Sequence, residues 1–169
     1  MQMRRIVNHI VVLTTFLILF CSCGSLKAPI VNNYSENGRL SDYTYVYITP
    51  TKELTSSAGG TYGNQYGVYG SSTTKSVNPS EVVAGLLFKR GYVQVPEITP
   101  EIAEKTLIVN YGESGRRNLN LGYTIEVTIQ FITAKEHKII CSTTAEGQGS
   151  TEADDIRQAI TRAVDAAFK

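Results

Sequence analysis

Residues 121–133 read LGYTIEVTIQFIT and alternate without interruption. Leu121, Tyr123, Ile125, Val127, Ile129 and Phe131 fall on one side, and Thr124, Glu126, Thr128 and Gln130 on the other. A period of two places successive side chains on opposite faces of a strand, so this stretch predicts a strand with a core face and an outward face. AKEHK at 134–138 suits a hairpin turn, and IICSTTAEG at 139–147 a return strand. A chain holding such a hairpin is committed to an antiparallel sheet that needs a partner layer over its apolar face.

Two helices can supply that layer. In NPSEVVAGLLFKRG, residues 78–91, Asn78 can cap, Pro79 suits the first turn and Glu81 can reach back. Val82, Val83, Leu86 and Leu87 form one stripe, Lys89 and Arg90 sit at the negative end, and Gly91 can close it. In the last segment, 151–169, Thr151 can cap above an acidic first turn, and Ile156, Ile160, Ala163, Val164, Ala167 and Phe168 share a face.

Further strands are expected at DYTYVYI (42–48), YVQV (92–95) and TLIVNYG (106–112), with a helical turn at 99–105. In the first, Val46 and Ile48 face the core, while Tyr43, Tyr45 and Tyr47 face away, as half-buried sheet surface or a partner platform. ESGRRNLN, residues 113–120, reads as a loop centred on Arg116 and Arg117, either solvated or facing an anionic partner. Residues 49–77, centred on GGTYGNQYGVYGSS, read as a long Gly/Tyr/Ser-rich loop. Tyr62, Tyr66 and Tyr69 in it are candidate partner-binding residues, because Tyr gives contact area at low entropic cost. No glycine spacing here matches a phosphate or dinucleotide loop. The expected fold is α+β: a two-layer sandwich, with a mixed, mostly antiparallel sheet of about five strands and two helices on one face.

The first 22 residues are of another kind. Arg4 and Arg5 precede an apolar run, Ile10 to Phe20, too short to span a bilayer and shaped like a secretory signal. Cys21 and Cys23 follow, one residue apart, too close for a common structural metal spacing and strained as a disulfide. LFCSC resembles the lipobox of bacterial lipoproteins, with Ser22 before Cys23 and Phe20 where Leu is usual. The resemblance implies cleavage after Ser22 and acylation of Cys23, two or more chains making a stable anchor at about 0.8 kcal/mol per buried methylene. Gly24 and Ser25, with no acid close behind, then imply the outer membrane with the body facing the periplasm. Residues 23–41 would be anchor and tether, and 42–169 the domain.

Cleavage there removes two arginines and no acid, leaving 14 basic against 15 acidic residues. That balance carries no footprint for nucleic acid. Cys141 is left without a partner and His137 is the one histidine of the mature chain. Neither a nucleophile beside a base nor a cluster of metal ligands is visible, so no catalytic residue, metal or cofactor is assigned.

YTYVYI, GLLFKRGYVQV, EKTLIVNYG and IEVTIQFITAKEHKIICSTTAEG, followed by a final helix, resemble a family of small bacterial envelope lipoproteins whose domain has no assigned function. The fold so implied is similar to periplasmic domains of the Tol-Pal propeller protein and of the curli secretion lipoprotein, which mediate protein contacts. The expectation is a non-catalytic lipoprotein acting in envelope assembly or maintenance through an envelope protein partner. The alternatives are a glycan or small-ligand binder using the same tyrosines, and a carboxylate-based hydrolase.

Overall fold

The computed structural model describes residues 26–34, 38–64, 67–119 and 122–169. Its strands are β1 (Ile30–Asn33), β2 (Tyr45–Ile48), β3 (Leu54–Asn64), β4 (Gly67–Val77), β5 (Val93–Gln94), β6 (Thr106–Asn118), β7 (Tyr123–Thr133) and β8 (Ile139–Gly147). The helices are α1 (Pro79–Phe88) and α2 (Glu152–Ala167). Six strands form one mixed sheet in the order β1-β8-β7-β6-β2-β5, and β3 with β4 forms a separate two-stranded ribbon. The fold is α+β.

The hairpin expected at 121–147 is the centre of the sheet, with β7 antiparallel to both β6 and β8. Ile125, Val127, Ile129 and Phe131 are fully buried beneath α2, beside Leu107 and Val109 of β6 and Val46 and Ile48 of β2. Leu121 lies outside the described residues. β2 and β6 run parallel, with α1 in the crossover between them. The helices share one layer, α1 packing on α2 and α2 on β7 and β8. Phe168 closes the layer, edge-on to both Tyr92 and Phe131, with the Arg90 guanidinium 5.1 Å from its ring centre.

The helix ends differ in how closely they follow the sequence. Thr151 caps α2 as expected, its hydroxyl accepting from the Asp154 amide at 3.3 Å. Asn78 stands at the cap of α1, but its side chain bonds no backbone amide there. Thr51 takes that role from outside, accepting the Ser80 N–H at 2.9 Å, while Asn78 Oδ1 accepts from the Thr51 and Ser80 hydroxyls. At the other end Gly91 adopts φ 88°, the left-handed turn that ends the helix and lets the Tyr92 amide reach back to Leu87.

Three segments depart from expectation. The long loop at 49–77 is a β-ribbon: Leu54 pairs with Val77, and eleven successive pairs run out to Asn64 opposite Gly67. Thr and Tyr are good strand residues, but with so few aliphatics they leave no periodic signal to read. The loop at 113–120 is the far half of β6, continuing to Asn118 with a bulge between Glu113 and Gly115. The tether is partly structured too: β1 pairs antiparallel with the edge of β8, and Leu40, in a short 3₁₀ turn, is buried in the core.

Candidate functional site

His137 sits exposed in the β7–β8 turn at φ 54°. Cys141 is 2% exposed on β8 and burial pushes its thiol up, away from the thiolate a nucleophile needs. No group of three or more His, Cys, Asp or Glu could hold a metal among the described residues.

What the fold does build is a polar cluster at one end of the sheet. Glu146 is 3% exposed on the face of β8 opposite the helices. Arg117, two strands away on β6, grips it with a fork: Nε donates to Oε1 at 2.7 Å and Nη2 to Oε2 at 2.6 Å. The Lys27 amide donates to Oε2 at 2.9 Å. The Arg117 contacts hold the Glu146 carboxyl at about 2, against burial, which pulls it upward. Arg162 of α2 donates to the carbonyls of both Lys27 and Glu146. The segment before β1 is thereby fastened to sheet and helix at once.

Arg116 points to the helix side instead. It pairs with Glu152 in the first turn of α2 and lies 5.3 Å from the Tyr123 ring centre. Adjacent positions on a strand face opposite ways, so the two arginines serve different partners. The anionic partner envisaged for them is inside the domain. The sequence reading missed Glu146, Lys27 and Arg162. The one available signal was a glutamate near the end of an otherwise apolar and hydroxyl-bearing return strand.

The root of the ribbon docks on the start of α2. Ser56 accepts the Ala153 N–H at 2.9 Å, Lys75 bonds both Asp154 carboxylate oxygens at 3.0 and 2.8 Å, and Arg157 reaches the Ser76 carbonyl. Lys75 leads the groups that hold the Asp154 carboxyl far below its usual range. Tyr62 and Tyr69 are directly opposite one another in the ribbon register, while Tyr66 lies outside the described residues.

The remaining tyrosines do not share one face. Tyr45 and Tyr47 lie on the helix-free face of β2, half-buried. Tyr43 precedes the strand and leans on the core, lining a cleft of about 370 Å³ with Arg90, Tyr92 and Phe168. The platform expected from all three is therefore reduced to two, because the alternation begins only at Tyr45. Cys23 lies outside the described residues.

No protein-family model matches the chain, and no curated protein matches it in sequence. Solved structures do resemble it. A point variant of the PelC dodecamer from Paraburkholderia phytofirmans aligns with 82% of this chain and 96% of its own at 12% identity and a TM-score of 0.46. Another crystal form of the PelC dodecamer from that organism aligns with 83% of this chain and 97% of its own, at 12% identity and a TM-score of 0.40. A likeness this distant says nothing of what the chain binds.

Proposed function

We propose that the chain is a non-catalytic lipoprotein, anchored at the outer membrane through acylated Cys23 and facing the periplasm. It works in envelope assembly or maintenance by binding a partner protein. The ribbon is the observation that carries this reading. Its strands are eleven residues each, and no charged residue occurs from Leu54 to Thr74. Natural proteins blunt exposed strand edges with lysines, prolines or bulges. None of these interrupts the paired residues 54–64 and 67–74. A two-stranded ribbon alone is marginally stable in water, and an added strand supplies it with main-chain hydrogen bonds. Tyr62 and Tyr69, cross-strand partners in the ribbon register, are of a residue type that gives contact area at low entropic cost.

The test shortens the ribbon. Residues 59–72 are replaced by a tight Asn-Gly turn that joins Ala58 to Thr73, partners in the native register. The root contacts of Ser56 and Lys75 remain, so the body keeps its fold. Crosslinking in intact cells should capture a defined envelope protein with the native chain and lose it with the short ribbon. Equal capture by both would move the contact to the sheet face of Tyr45 and Tyr47. Capture by neither would end the assembly reading.

A further inference from the structure

Residues 24–41 read as a tether would let the domain roam. A flexible chain of that length has an r.m.s. reach of about 25 Å and a far longer limit. The structure fastens its described stretch from Lys27 to Tyr34 down. The Lys27 amide is held by Glu146, its carbonyl by Arg162, residues 30–33 pair with β8, and the Tyr34 amide donates to the Ile140 carbonyl. Cys23 is four residues before Lys27, so the two are at most about 14 Å apart.

The strap also has a direction. β1 is antiparallel to β8, with Ile30 opposite Thr144 and Asn33 opposite Cys141. The chain before β1 therefore leaves beside Glu146 and Gly147. Asn118 and Tyr123, the paired ends of β6 and β7, lie at that same end. So do the start of α2 and the root of the ribbon, tied in through Arg116–Glu152 and Ser56–Ala153. The β7–β8 turn at 134–138 is at the opposite end.

We infer that the domain rests end-on against a bilayer surface, with the Asn118–Tyr123 end and the close of β8 toward the lipid and the β7–β8 turn away from it. This rests on the Cys23 anchor of the proposed function. The hold is the short covalent strap more than attraction to anionic headgroups, because Glu146 and Glu152 offset two of the three cations Lys27, Arg117 and Arg116 at this end and leave a single positive charge. A covalent strap depends little on salt.

The full-length acylated protein would be reconstituted in phosphatidylcholine vesicles carrying a nitroxide-headgroup lipid. One fluorophore is attached through Asn118→Cys or Lys135→Cys, both exposed positions, while native Cys141 is buried from the reagent. Quenching should be several-fold stronger at 118 than at 135 and unchanged at high salt. A long Gly/Ser insert between Ser25 and Leu26 should erase the difference. Equal quenching at both positions, or stronger quenching at 135, would overturn the orientation. A difference that survives the insert would overturn the strap as its cause. The intact mass separates the two readings: a chain without acyl groups on Cys23 overturns the anchor itself.

Discussion

Arg117 and Glu146 stand two strands apart and meet through a parallel pair of hydrogen bonds, 2.7 and 2.6 Å long, across the helix-free face of the sheet. The glutamate is almost wholly shielded, so removing the guanidinium leaves a carboxylate that water cannot resolvate. Arg117→Ala should therefore lower the urea midpoint clearly. Arg116→Ala should lower it less, since its partner Glu152 is 34% exposed and can turn to solvent. Equal midpoints for the two variants would count against this ranking.

The same pair sets an acid limit. The Glu146 carboxyl is held at about 2 in the folded state against an ordinary 4.5. A depressed carboxylate contributes stability that is complete above its unfolded value and is lost as pH falls through its folded one. The loss should thus run from about pH 4.5 down to about pH 2. Urea unfolding of Glu146→Gln and the native chain across that range gives the check. The stability difference between them should shrink steadily as the pH falls, and a constant difference would contradict the assignment.

Gly147 sits where β8 passes under α2. A Cβ there would lie 1.9 Å from the Asp155 carbonyl oxygen and 2.6 Å from the Ala159 amide nitrogen. Both are backbone atoms of the helix, so the helix itself must move. Gly147→Ala should destabilise by about 3 kcal/mol, the upper part of the range for overpacked sites. Gly112→Ala in β6 is the control: nothing lies within 4 Å of a Cβ built there, and its midpoint should be close to native.

Thr143 occupies a core-facing position of β8 opposite Ile129, fully buried, and its hydroxyl has no hydrogen-bond partner among the described residues. Valine replaces that hydroxyl by a methyl of nearly the same size. Thr143→Val should stabilise the domain by about 1 kcal/mol, because a buried unsatisfied hydroxyl is a net cost. A loss of stability would mean that the hydroxyl has a partner after all.

The elements that were legible in the sequence are those whose signal is local. β7 shows its alternation because one face is buried under α2 and the other carries Thr124, Glu126, Thr128 and Gln130. α2 shows its cap and stripe within its own residues. The ribbon was not legible because Gly59, Gly60 and Gly63 and its many hydroxyl residues suit a loop as well as a strand. The far half of β6 was hidden for another reason. Glu-Ser-Gly-Arg-Arg-Asn is polar enough for a loop, and what makes it a strand is pairing with 123–127 and the partners of its two arginines. The cluster at Glu146 joins Lys27 to a residue 119 positions away, a relation that no window of sequence contains.

That separation also orders events in time. β1 can dock only on β8, which is the last strand to be made, and proteins are synthesised from the amino end. Until residue 147 has emerged, the stretch from Lys27 to Asn33 has neither the Glu146 carboxylate nor a strand edge to settle on. The processing at Cys23 that we propose need not wait for that closure if it acts while the chain is still emerging. Maturation at the amino end and closure of the fold need not compete.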